Sequence, residues 1–178
     1  MKNTIIILLY IVGIYVYNGK ISAQTSGSQI TFADPTIYFE NGKYYLSGTR
    51  SQSPKGFSVL ESTDLITWSV PAGTVGQNKM ILVPGENVFG TDGFWAPQML
   101  KENNQYYLTY TANEYVAIAS SSTLTGPYTQ NMVSQIDQSA KNIDSYLFKD
   151  DDGKYYLYHV RFNNGNFIWV AEFDFATG

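Results

Sequence analysis

The sequence predicts an all-β chain built as a β-propeller, with about three blades present, and three observations predict it. The same hairpin occurs three times, marked by Tyr-Tyr-Leu at Tyr44–Leu46, Tyr106–Leu108 and Tyr155–Leu157. Strand-forming residues abound, with 15 tyrosines and 16% aromatics beside one histidine. After residue 23 no stretch sustains the apolar 3.6-residue period of an amphipathic helix. Four-stranded units recurring at roughly 50 residues are the mark of propeller blades. A two-sheet sandwich also has many short strands, but it does not repeat one hairpin three times.

Taken in order, Met1-Lys2 followed by the uncharged apolar run Ile5–Tyr17 and a polar stretch ending at Ala23 has the three-part pattern of a signal peptide over residues 1–23. Its 13 apolar residues fall short of the ~20 a spanning helix needs, so no stable membrane anchor is expected. A short linker, 24–29, leads into residues 30–178, which are expected to be the N-terminal part of a propeller domain that continues in a longer protein. The first hairpin turns at Asn41-Gly42, the second at Asn103-Asn104 and the third at Asp152-Gly153, residue pairs that tolerate the positive φ angles of tight hairpin turns. Each hairpin has a second half: Phe57–Leu60 leading to Trp68, Val116–Ala119 leading to Tyr128, and Phe167–Ala171 leading to Gly178. Each unit is therefore expected to hold four strands. Asp64 reads as a structural turn residue. The Asp150-Asp151-Asp152 run lacks the spaced ligands of a calcium loop and reads as a solvated hairpin tip. His159 reads as a packed or solvent-facing strand residue.

Composition narrows the function classes. With 178 residues the chain can bury one substantial core. The absence of cysteine excludes a thiolate nucleophile, a thiolate metal site and a disulfide scaffold. A net charge of −4 with no basic stripe argues against nucleic acid as a partner. An acidic, cysteine-free chain with a cleavable leader is expected to be secreted or periplasmic.

Candidate chemistry lies just upstream of each hairpin, because the innermost strand of a blade comes first and lines the central channel. Ten residues before Tyr44 is Asp34, eleven before Tyr106 is Trp95, and eleven before Tyr155 is Asp144. Two carboxylates and an indole are thus expected at equivalent positions of successive blades. Paired carboxylates suit acid–base work on a glycosidic bond, and an aromatic face suits the apolar face of a sugar ring.

Ala33-Asp34-Pro35-Thr36, Phe94-Trp95-Ala96-Pro97-Gln98, Ile143-Asp144 with Leu147–Leu157, and Ser62-Thr63-Asp64-Leu65 to Trp68 together resemble glycoside hydrolase family 43, over about residues 30–178. The resemblance implies a five-bladed propeller that acts on arabinan, arabinoxylan or xylan by inversion. It implies Asp34 as general base, Asp144 as the residue that tunes the general acid, and Trp95 as a substrate contact. It also implies a structural calcium in the channel of the full propeller, for which no ligand set is legible. The general acid of the family is a glutamate in a Glu-Gly-Pro setting of a later blade, and no Glu-Gly-Pro occurs here. Glu86, Glu102 and Glu114 fall in loops or turns. The chain alone is therefore expected to be inactive; the alternative is a propeller that binds carbohydrate without cleaving it.

Overall fold

The computed structural model describes residues 30–74 and 79–176; the expected signal peptide and linker lie outside the described residues. Eleven strands and no α-helix occur among them: β1 (Ala33–Glu40), β2 (Lys43–Thr49), β3 (Phe57–Ser58), β4 (Leu60–Ser62), β5 (Met80–Leu82), β6 (Trp95–Glu102), β7 (Gln105–Ala112), β8 (Tyr115–Ser121), β9 (Asn142–Lys149), β10 (Tyr155–Phe162) and β11 (Asn166–Phe173). They form three antiparallel three-stranded sheets, β1-β2-β4, β6-β7-β8 and β9-β10-β11, and a small β3-β5 pair. These are the three expected blades.

The hairpins form because their turn residues accept left-handed backbone. Asn41 and Gly42 sit at φ 51° and 76°, and Asn103 and Asn104 at 49° and 60°. The third hairpin closes differently. The Asp150 N–H donates to the Lys154 carbonyl and the Gly153 N–H to the Asp150 carbonyl, both at 2.9 Å. That turn is one residue longer, and its aspartates are exposed. Asp64 is also structural: its Oδ1 accepts from the N–H groups of Thr67 and Ile66 at 2.7 and 2.8 Å. Those two bonds and the Ser62 hydroxyl hold its carboxyl down at about 2.

The expected fourth strand is reduced in the first two sheets to single bridges, Glu61 with Ser69 and Ser120 with Thr129. Prolines stand beside both, at Pro71 and Pro127, and a residue without an N–H cannot extend a ladder. A strand that the hairpin pattern does not predict, β5, fills the space between the first two blades. It pairs with β3, and the Ile81 carbonyl accepts the Tyr128 N–H at 2.7 Å. Glycines permit this approach. A Cβ at Gly56 would lie 2.2 Å from the Leu82 carbonyl oxygen, and one at Gly126 would lie 2.5 Å from that of Ile81.

Successive sheets meet face to face, and strand alternation decides what each face presents. Glu40 at the end of β1 accepts from Lys101 Nζ at 2.6 Å and from the Tyr106 hydroxyl at 2.7 Å on the second sheet. One blade on, Glu102 accepts from Lys149 Nζ at 3.0 Å and from the Tyr155 hydroxyl on the third sheet. Burial alone would raise the Glu40 carboxyl, but Lys101 and Tyr106 outweigh it and the net direction is down. Tyr155 first and Lys149 second lower Glu102. Gln98 adds a second tie, donating from Nε2 to the Leu147 carbonyl at 3.0 Å and accepting the Leu147 N–H at Oε1 at 2.6 Å. Inside the first seam Phe94 stacks on Tyr110 with centroids 5.9 Å apart, and Phe57 meets both edge-on. His159 is packed rather than exposed, at 8% of its free surface, and neither ring nitrogen has a partner among the described residues.

Truncating Glu102 to Ala is expected to cost about 1 kcal/mol in urea unfolding, since it strands Lys149 and the Tyr155 hydroxyl together. Asp92→Ala, at the exposed Asp92–Lys55 pair, should leave the urea midpoint where it was. His159 yields a pH prediction. Burial lowers its basicity, Asp137 opposes that, and Arg161 adds to it. The unfolded chain therefore binds the proton first, and stability falls as pH drops below about 6.5. In a comparison of urea midpoints at pH 7 and pH 5, His159→Phe should remove that loss.

Candidate active site

All three innermost strands begin with the same irregularity. Pairing slips between Ala33 and Thr36 in β1, between Trp95 and Gln98 in β6, and opposite Tyr158 and Val160 in β9. At each slip one residue adopts left-handed backbone: Asp34 at φ 47°, Ala96 at 44° and Asp144 at 56°. Such bulges kink the strand and re-aim the side chain they carry. The sequence does this readily with aspartate, whose short polar side chain tolerates that region, and less readily with alanine.

This register corrects one expectation. Asp34 and Asp144 are equivalent, but the third member of the set is Ala96, and Trp95 stands one residue before it. Lys101 and Lys149 both lie opposite the first tyrosine of their hairpins. The extra turn residue at Asp150–Lys154 therefore shifts only the third count. Trp95 still opens its strand at the same end of the sheets as the aspartates and is 38% exposed. Its ring rests on Gly93, where a Cβ would come within 3.1 Å of Cζ2.

Two threonines that the hairpin motif does not single out join the site together. Thr49 Oγ1 donates to Asp34 Oδ2 at 2.7 Å and accepts the Ala96 N–H at 2.8 Å. Thr111 Oγ1 accepts the Asp144 N–H at 3.0 Å. The two occupy the same position, paired with Ala33 and Trp95 respectively, so each blade holds the bulge of the next. The signal was present in the sequence: both stand five residues after the first tyrosine of their pair, where the third hairpin has Val160.

Asp144 feels the charge of Asp34. Desolvation raises the Asp144 carboxyl above the ordinary aspartate range, and the charge of Asp34 raises it further. Although the Asp144 residue is open to solvent by area, enough protein surrounds its carboxyl to disfavour the charge. Two of the three glutamates weighed as acids, Glu86, Glu102 and Glu114, are engaged elsewhere. Glu102 lies in the seam, Glu114 is paired with Lys141, and Glu86 stands exposed in the loop bridged by Gly85 and Val88. No group of three or more His, Asp or Glu able to hold a metal ion occurs among the described residues.

Known proteins resemble this chain over most of its length. The profile of Glycosyl hydrolases family 43 matches residues 28–178. The solved endo-1,4-beta-xylanase of Bacteroides thetaiotaomicron is 40% identical, with a TM-score of 0.71 over 80% of this chain and 47% of that one. A thermostable family-43 glycoside hydrolase is 31% identical, with a TM-score of 0.70 over 84% of this chain and 50% of that one. The beta-xylosidase of Bacillus subtilis is 24% identical over 150 residues, covering 79% of this chain and 26% of that protein. The chain thus spans half or less of the length of these relatives. The chain belongs to glycosyl hydrolase family 43.

Proposed function

We propose that the chain supplies the base side of an inverting glycoside hydrolase that acts on xylose- or arabinose-containing polysaccharide outside the cell. The observation that supports this most is the equivalent placement of Asp34 and Asp144 on the bulges of the first and third sheets, with their charges interacting. Similarity to a xylanase and a beta-xylosidase supports the substrate class.

In this reading Asp34 takes a proton from water as the water oxygen attacks the anomeric carbon. The bond from that carbon to the leaving oxygen breaks with inversion, and the leaving oxygen takes a proton from an acid on the opposite face of the sugar. Thr49 orients the base by donating to Oδ2, which leaves Oδ1 to meet the water. Asp144, whose own ionisation is disfavoured, is placed to tune the acid. Trp95 offers a ring face to the sugar. Glu102 is held in the seam, Glu114 is paired with Lys141 and Glu86 stands exposed, which supports a chain that binds carbohydrate here but does not hydrolyse it unaided. The same observation favours a second reading, a propeller that only binds sugar.

The purified 178-residue chain is expected to show no turnover of an aryl xyloside or arabinofuranoside. Turnover abolished by Asp34→Ala would overturn that expectation. In a longer protein carrying this chain, Asp34→Ala should lower kcat by about 10²–10⁴-fold. If such a protein hydrolyses no xylan or arabinan at all, only the binding reading stands. Thr49→Val should reduce kcat by roughly tenfold with little change in KM, and Thr49→Ser should restore it, because one charge-assisted hydrogen bond is what distinguishes them.

A further inference from the structure

A second groove lies at the opposite end of the second blade from the aspartates. β6 runs from Trp95 at the candidate active site to Glu102 at the far end, about 23 Å away at ~3.3 Å per residue. There Asn103 of the turn, the start of β7, the end of β8 and the loop that follows border an open depression of about 810 Å³. A cavity of about 380 Å³ adjoins it and shares Tyr107, Ser120, Thr129 and Asn131. Together they form one long depression on the outer rim of the blade.

The lining is unusual for an acidic chain. Among the described residues, no Asp, Glu, Lys, Arg or His lines either cavity. Asn103, Gln105, Asn131 and Ser122 provide neutral donors and acceptors, and Ile118, Met132, Ile136 and Phe175 add apolar surface in the smaller cavity. Tyr107 lies at the junction of the two cavities. Its ring packs against Phe175 with centroids 4.3 Å apart, which fixes its orientation.

This chemistry selects a ligand class. Phosphate, carboxylate or nucleic-acid ligands need a cation, and a cationic peptide needs carboxylates; the groove has neither. An apolar segment would bury amides and hydroxyls without partners. Neutral polyols satisfy them: each sugar hydroxyl both donates and accepts, as amide side chains do, and the C–H face of a sugar ring suits a tyrosine. The volumes lie in the range of small-molecule sites.

We propose that this groove is a second, non-catalytic binding site for a neutral polysaccharide segment, remote from the Asp34–Asp144 site. The choice of xylan or arabinan as its occupant rests on the hydrolase reading above. A polymer held there stays tethered to the protein without occupying the catalytic end.

Affinity electrophoresis in gels containing soluble arabinoxylan or linear arabinan tests it. The chain should be retarded relative to a gel without polysaccharide. Trp95→Ala should remain retarded, and in that background Gln105→Ala and Asn131→Ala should each weaken apparent affinity several-fold and together abolish the remaining retardation. Either single substitution on its own suffices if the other perturbs folding. The two substitutions together leaving Trp95→Ala as retarded as before, or a parent chain not retarded at all, overturns the inference. Loss of retardation in Trp95→Ala alone also overturns it, yet leaves the hydrolase reading intact. That reading is judged separately by turnover.

Discussion

The seam between one sheet and the next is the constraint on which the rest of the molecule depends. At one end of each seam an acidic residue closing the innermost strand is gripped by a lysine and a tyrosine of the following sheet, Glu40 by Lys101 and Tyr106, Glu102 by Lys149 and Tyr155. At the other end a threonine hydroxyl, Thr49 or Thr111, takes the backbone N–H of the bulge in the following sheet. The two ties lie at opposite ends of the strands and so fix both the rotation and the height of one blade on the next. Neither is strong alone, because the ion pairs are partly solvated and a single hydrogen bond contributes about 1 kcal/mol. Their repetition in register is what makes three separate sheets one body.

The same seam builds the site. A left-handed residue at the entry of a strand is costly for any side chain but glycine, so it persists only where its surroundings hold it. Here the holding group is the threonine of the preceding blade. The position of Asp144 therefore depends on Thr111 of the second sheet, and Asp34 is tied through Thr49 to Ala96 of the second sheet as well. Two carboxyls more than one hundred residues apart in sequence thereby interact, and their mutual repulsion adds to burial in keeping Asp144 reluctant to ionise. Packing energetics and site electrostatics have one structural origin.

Much of this was legible in the residues. Tyr-Tyr-Leu after a polar turn marked each hairpin because alternation and turn chemistry are local. Asp34 and Asp144 stood out because the repeat supplies a ruler. The ruler erred by one at Trp95, since the eleven-residue offset that the longer Asp150–Lys154 turn gives the third hairpin does not apply to the second, whose turn matches the first. The expected fourth strands shrank to bridges beside Pro71 and Pro127, and Met80–Leu82 became a buried strand between blades. A three-residue apolar run carries no period of its own, and its partners, Phe57 and Tyr128, are remote in sequence.

The sequence by itself determined the class of fold, the repeat, the hairpin turns and the two aspartates, because each is written in spacing and in residue types with strong local preferences. Only the tertiary structure decided that Ala96, not Trp95, is their third equivalent, that Thr49 and Thr111 position the bulges, and that the three glutamates are occupied elsewhere or stand exposed. The uncharged groove around Tyr107 was likewise invisible until the loops came together. Those features depend on which faces of separate sheets meet, and a contact between remote strands leaves no trace in the period of either one.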